Sequence, residues 1–273
     1  MDHADTVGDL YVTDVAGITM CRDEADIIGP FLRKLAAQVD FIVIADNNSV
    51  DGTRDILADL ERELPLTVLD DPEVGYFQSA KMTDLAHRAA SLGATWVVPA
   101  DCDEVWYAPF HHRVADLLEE LAPQWFCAAA TLYDHVATAI DPDEPDPLSR
   151  LGWRRREPAP LVKVACRVRD DLTINQGNHS ASYDGGATVY TDHLVIRHFP
   201  YRSSEQMIRK ALNGAEAYAA TDLPEDQGAH WRQYGQLIAQ EGEAAFTENV
   251  FRKWFWSADP NADRSLLFDP CPV

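Results

Sequence analysis

Two aspartates and a glutamate, Asp101-Cys102-Asp103-Glu104, follow directly on the apolar run Trp96-Val97-Val98-Pro99-Ala100. Carboxylates at the end of a buried strand need a partner, because an ionised group that loses its water is costly unless it is paired. On an extended segment residues two apart point to one side, so Asp101 and Asp103 could offer oxygens to one hard cation. A divalent ion held there can bridge the two phosphates of a nucleotide and neutralise charge on a departing diphosphate. Cys102 is a spacer on this reading, since such a cation prefers oxygen. D-x-D also arises by chance in an acidic chain. Asp141-x-Asp143 is a second copy, set in the Pro-rich stretch 141–147 that reads as an irregular, solvated loop.

A second cluster, Asp46-Asn47-Asn48-Ser49-Val50-Asp51-Gly52-Thr53, supports two readings. Asn and Asp make side-chain turns, Gly52 permits positive φ, and Asp51 or Thr53 can cap a following helix, which is a complete structural account. The functional alternative sets Asp46, last on its strand, against a nucleobase or ribose edge. A third cluster is His198-Phe199-x-x-Arg202-Ser203-x-Glu205 with Lys210 further on. Ser203 or Ser204 accounts for part of it as an N-cap, and a lone histidine is often only a hydrogen-bonded core residue. Yet His198 closes an apolar strand, and a neutral imidazole beside two carboxylates is a sound ligand for an Mn²⁺- or Mg²⁺-type ion. His193 should face the other side of that strand. His179, Tyr183 and Asp184 lie in a polar turn that could approach an acceptor hydroxyl or be a plain hairpin. Trp231, Trp254 and Trp256 read as packing residues.

The elements that must position these groups follow from periodicity. Apolar runs at 15–20, 41–45, 66–69 and 95–100 alternate with helical patterns, the first opened by Pro30, then 53–63 and 79–90. Such alternation predicts a mainly parallel sheet with helices on both faces, whose ligands sit at the carboxyl ends of the strands. All three clusters fall at strand ends. Beyond Pro109 the pattern loosens into a helix near 114–121 and strands near 126–132, 161–168, 172–175 and 193–199, a mixed extension. The C-terminal segment turns helical, at 203–220, 229–240 and an aromatic stretch 246–256. The expected division is a nucleotide-binding half, 1–107, an acceptor-side extension of the same domain, 108–200, and a helical segment, 201–273.

Composition excludes several classes. With 45 Asp+Glu against 23 Lys+Arg the net charge is −22, and no basic run exceeds Arg154-Arg155-Arg156, so nucleic acid and anionic membranes are poor partners. Apolar residues at 46% exclude disorder. Five scattered cysteines, none in a C-x-x-C pair, indicate neither a disulfide framework nor a zinc site. The stretch 1–9 lacks the pattern of a signal peptide and no apolar run approaches a membrane span, which gives a cytoplasmic expectation. There is no P-loop, no G-x-G-x-x-G after the first strand and no G-x-S-x-G elbow.

Taken in order, Met20-Cys21-Arg22-Asp23-Glu24-Ala25-Asp26-Ile27-Ile28, then 44–53, then 96–104, then 198–210 resemble the family-2 glycosyltransferases with the GT-A fold. The resemblance implies transfer of a sugar from a nucleoside-diphosphate sugar to an acceptor nucleophile, with Mn²⁺ or Mg²⁺ and usually with inversion. It implies a donor pocket lined by Thr19, Cys21, Arg22, Glu24, Asp46, Asn48, Lys81 and Asp101. Asp103 would be the main metal ligand and His198 would complete the shell, with Asp101 reaching the ribose or the metal. The acidic pair that often opens an acceptor-side helix in the family is not obvious here, so the general base is sought among Asp184, Asp134, Asp192 and Glu205, with Asp184 preferred. A small, diffusible acceptor is expected. A sugar-phosphate nucleotidyltransferase, or a non-catalytic nucleotide binder on the same fold, are the alternatives.

Overall fold

A computed structural model describes residues 14–191 and 193–271. Four parallel strands begin the chain: β1 (Asp14–Cys21), β2 (Phe41–Asp46), β3 (Leu66–Asp70) and β4 (Ala94–Pro99), in the spatial order β3-β2-β1-β4. Helices α1 (Ile28–Ala36), α2 (Thr53–Leu60) and α3 (Gln78–Ser91) make the crossovers. Strand residues alternate between two cores, as side chains on a pleated strand must. Ile42, Ile44, Trp96 and Val98 face the core that holds Phe31, Leu32 and Leu57, while Val43, Ala45 and Val97 face the one that holds Met82, Leu85 and Ala86. Both faces are therefore covered, which is why these strands read as continuous apolar runs. At Gly17 a Cβ would lie 2.8 Å from Leu35 Cδ2, so the missing side chain lets α1 lie close on β1.

After β4 the sheet becomes mixed. It continues with β5 (Glu104–Tyr107), β6 (Cys127–Asp134), β7 (Val162–Arg167), β8 (Val189–Tyr190) and β9 (Val195–His198), with α4 (Val114–Glu120) between β5 and β6. The nine strands run β3-β2-β1-β4-β7-β6-β9-β5, with β8 also on β6. Only β7, against β4 and β6, and β5, against β9, are antiparallel. Thus the chain has the α/β architecture expected of a GT-A fold, a mainly parallel sheet with a mixed extension. Two long helices, α5 (Ser204–Ala219) and α6 (Ala229–Glu241), follow.

Three local details sharpen the expectations. Helix α1 begins at Ile28, ahead of Pro30, which still falls in the first turn where its missing N–H costs nothing. The stretch 141–147 is irregular up to Asp146 and largely exposed, as expected, and its own side chains tie it: Asp141 accepts from the Thr138 N–H at 2.7 Å, and Asp146 caps the short helix Pro147–Arg150. The aromatic stretch 246–256 is helical as far as Trp254. Its middle, Thr247–Phe251, is a π-turn, whose wider spacing brings Phe246, Val250 and Phe251 all into the core.

Candidate active site

Strand register builds the centre of the site. β9 lies between β6 and β5, and pairs His198 with Asp134 on one side and with Glu104 on the other. The His198 ring is consequently held on edge. Its Nδ1 is 2.7 Å from Asp134 Oδ1, and its Nε2 is 3.6 Å from Asp103 Oδ1. The Phe199 N–H fixes the turn by donating to the Asp103 carbonyl at 2.8 Å. Asp103, Glu104 and His198 each bring a ligand atom to within 4.8 Å of the others. Asp103 is buried and Lys210 donates to its Oδ2. Burial opposes its ionisation, but Lys210, His198 and Arg202 outweigh this and hold its carboxyl below the usual range. His198 is shifted the other way: burial disfavours the imidazolium, and the Asp134 hydrogen bond with the nearby Asp103 charge raises its pKa nonetheless.

The D-x-D element is a turn, not the extended segment expected, since the Glu104 N–H donates back to the Asp101 carbonyl at 3.0 Å. The two aspartates diverge as a result. Asp101 Oδ2 pairs with Lys163 at 2.6 Å, and its Oδ1 accepts from Asn178 at 3.1 Å and Gln78 at 3.3 Å. Lys163 also reaches Glu104 at 2.8 Å. One ammonium thus serves two carboxylates, and burial pushes the Glu104 carboxyl up to about 7 despite it. The structure therefore places Asp101 outside the group that gathers at Asp103.

The loop after β1 is held from both sides. From below, the 46–53 cluster acts as its scaffold: Ser49 Oγ accepts from the Asp23 N–H at 2.9 Å, Thr53 Oγ1 from Glu24 at 2.9 Å and Asp51 from Ala25 at 3.1 Å. Gly52 turns the chain at φ 98°, and Asp51 Oδ1 accepts from the Thr53 N–H at 3.1 Å, as a cap would. From above, the fully buried Arg202 grips Asp26 at 2.7 and 2.9 Å and donates to Glu24. Arg209 and Asn213 of α5 bind Asp23 through its carbonyl and carboxylate, at 3.1 and 2.8 Å.

Between these parts lies a cavity of about 490 Å³. Of the residues singled out in the sequence, Cys21, Arg22, Glu24, Asp101, Asp103, Asp134 and His198 are on its wall, as is His179. Others are not. Thr19 is wholly buried, with its hydroxyl 3.6 Å from Cys102 Sγ. Asp46 is buried at the end of β2, 3.7 Å from both Cys21 Sγ and Arg54 Nη1, and its neighbour Asn47 lines the wall instead. Asn48 is exposed and donates to the Pro72 carbonyl, and Lys81 pairs with Asp71 at 2.6 Å. Asp184 is exposed on its hairpin, tied through its N–H to Asp171, and Glu205 faces a separate groove beside Arg209 and Glu243. Asp192 lies outside the described residues. Of the four carboxylates weighed as a base, the cavity wall therefore has Asp134 among the described residues, and not the preferred Asp184.

Lys163, Gln78, Asn178, Tyr76 and Trp231 were not legible as site residues. Lys163 sits inside an apolar strand, where a lone lysine at an alternating position is the one available signal. Trp231 and Tyr218 line the cavity as well as packing, with Tyr218 against Tyr76 at 4.6 Å between ring centroids.

Comparison with known proteins gives one family match and several distant structural likenesses. S. aureus TarS, residues 1–349, has 15% sequence identity over 87% of this chain and 75% of its own, with a TM-score of 0.40. The same protein in complex with UDP-GlcNAc gives 15% identity, 87% and 76% coverage and a TM-score of 0.40. GalNAc-T7 with UDP, GalNAc and Mn²⁺ gives 12% identity over 90% of this chain and 59% of that one, with a TM-score of 0.40. No curated protein sequence matches. The family model described as glycosyl transferase family 2 matches residues 18–168. This span is more than half of the chain and contains the end of β1 and all of β2 to β7 with the whole Asp101–Glu104 turn, so the chain belongs to glycosyl transferase family 2 and is a glycosyltransferase.

Proposed function

We propose that this chain transfers a sugar from a nucleoside-diphosphate sugar to an acceptor hydroxyl in a single inverting displacement, with a divalent ion at Asp103 and His198 and with Asp134 as general base. The observation that carries the reading is the chain of contacts Asp134–His198–Asp103 on the wall of the cavity. A histidine that ligates a metal through one nitrogen almost always gives the other to a carboxylate or carbonyl, which fixes the ring. Here Asp134 takes Nδ1, and Nε2 faces a carboxylate oxygen 3.6 Å away, so the residues fit such an ion. When bound, the ion neutralises charge developing on the departing diphosphate.

Asp134 is suited to the base by position. Its Oδ1 is engaged by His198 and, among the described residues, its other oxygen has no hydrogen bond. An acceptor hydroxyl within reach of that oxygen gives up its proton as it attacks the anomeric carbon. Attack from the side away from the diphosphate inverts that carbon. The β1 loop, stiffened by Arg202, supplies the donor side through Arg22 and Glu24. Tyr76, Tyr218 and Trp231 offer ring faces on the remaining wall, which suits a nucleobase or a sugar face.

The test is turnover of a panel of UDP-, GDP-, dTDP- and CDP-sugars, read as release of the nucleoside diphosphate. Release by the wild type in Mn²⁺ or Mg²⁺, lost in EDTA and in Asp103→Asn, supports the reading. Release of pyrophosphate instead, or turnover that persists in Asp103→Asn, contradicts it.

A further inference from the structure

Two lysines reach the carboxylates of the D-x-D turn, and they differ in freedom. Lys163 is buried and locked between Asp101 and Glu104, at 2.6 and 2.8 Å. Lys210 rises from α5 on the cavity wall, with 26% of its side chain exposed, and its ammonium rests on Asp103 Oδ2. Asp103 has no room for two such partners. It is 3% exposed, its other oxygen faces His198 Nε2, and a divalent ion at the same carboxylate would meet the ammonium with little water between them. A lysine is a point charge on a flexible stem, so it can move; the planar fork of Arg202, fixed on two carboxylates, cannot follow.

We propose that Lys210 is a shared counter-ion, which neutralises Asp103 in the metal-free protein and moves onto the diphosphate of the donor once a divalent ion occupies Asp103. The proposal rests on the metal reading above. It couples the two ligands in both directions. An ion that takes Asp103 releases an ammonium for a second anion, and a diphosphate gains that ammonium only where Asp103 is otherwise satisfied. Lys210 would thus oppose binding of the metal alone while favouring metal and diphosphate together.

Two binding measurements separate the parts. In the first, Mn²⁺ alone is titrated into wild type, Lys210→Met, Lys210→Gln and Asp103→Asn, with the free ion followed by electron paramagnetic resonance. In the second, inorganic pyrophosphate is titrated in EDTA into wild type, Asp103→Asn and the double variant Asp103→Asn/Lys210→Met by calorimetry. The expected result is Mn²⁺ affinity at least about tenfold higher in both Lys210 variants, and pyrophosphate affinity about tenfold higher in Asp103→Asn but not in the double variant. The proposal is overturned if folded Lys210→Met and Lys210→Gln bind Mn²⁺ no more tightly than wild type while Asp103→Asn abolishes binding. It is equally overturned if Asp103→Asn gains no affinity for pyrophosphate. Undiminished Mn²⁺ binding by Asp103→Asn marks the failure of the metal reading instead, and the EDTA measurement, which contains no metal, still decides whether Lys210 is shared.

Discussion

Asp134 carries two tasks with two oxygens, and its substitution separates them. Asp134→Asn keeps an oxygen to accept from His198 Nδ1, so the histidine stays in place, but it removes the basicity that the acceptor hydroxyl requires. General base catalysis contributes about 10²–10⁴ in rate, so kcat should fall by that order while stabilisation by nucleoside diphosphate and metal persists. Loss of nucleotide binding together with kcat would show that Asp134 acts through the metal site alone. Asp184 supplies the control. It is exposed and off the cavity wall, and Asp184→Asn is expected to change kcat and stability little, by less than about 0.5 kcal/mol in a denaturant titration. At this scale the sequence was half legible. Asp103 and His198 stand at strand ends where their chemistry is readable, and they do meet. Which carboxylate joins them depends on the pairing of β6 with β9, a contact between residues 64 apart. Asp184 attracted attention because it neighbours His179 in sequence, and nearness along a hairpin says nothing of which way the hairpin faces.

Elements hold the site through two buried groups whose removal should be felt as stability. Arg202 packs against the β1 loop and binds Glu24 and Asp26 while its own side chain is wholly out of water. Arg202→Met would leave those carboxylates without their partner, and breaking a buried pair from one side costs about 3–5 kcal/mol. A loss below about 1 kcal/mol in urea would mean that Arg209 and solvent suffice for them. His135, the residue after β6, is the second. It is 2% exposed, stacks on Phe199 with ring centroids 4.2 Å apart, and its Nδ1–H donates to the Leu151 carbonyl at 2.6 Å. Burial lowers its pKa from 6.5 to about 4. The unfolded chain therefore binds more protons between those values, and this histidine's contribution falls as pH drops from about 6.5 to about 4, by roughly 3 kcal/mol in all. Above that window the contribution is complete. His135→Phe should lose stability at neutral pH by orphaning the Leu151 carbonyl, yet show a shallower decline between pH 7 and pH 5 than the wild type. Identical pH slopes would assign the acid sensitivity to other groups. Packing between elements also decides what a polar cluster does. The Asp46–Thr53 cluster has the residue types of a nucleotide contact, yet Ser49, Asp51 and Thr53 accept from the loop after β1, and Asn47 and Asn48 donate to residues 71–73.

Over the whole molecule, the elements were legible in both halves, but which strands pair was legible in the parallel half alone, for one physical reason. From β1 to β4 each strand is joined to the next by a covering helix, so local period fixes both the element and its neighbours. Beyond β4 the sheet is closed by pairs distant in sequence, β7 against β4 and β9 against β5, and nothing in the spacing announces that Lys163 will meet Asp101. Lys163, Lys210, Arg22 and Arg209 meet around one cavity with Asp23, Glu24, Asp101, Asp103 and Asp134, in a chain of net charge −22. Among the described residues no helix is long and apolar enough to cross a membrane. On the proposed function, Asp103 and His198 hold a divalent ion for a nucleoside diphosphate in this cavity. The most direct measurement is the thermal stability of wild type and Asp103→Asn with UDP, GDP, dTDP and CDP, each with Mn²⁺ and with EDTA. A ligand at 100 times its Kd adds about 2.7 kcal/mol, and we expect one nucleotide to raise Tm of the wild type in Mn²⁺ only, with no rise in Asp103→Asn. A rise that survives EDTA and the Asp103 substitution, or none with any nucleotide on folded protein, would contradict the account.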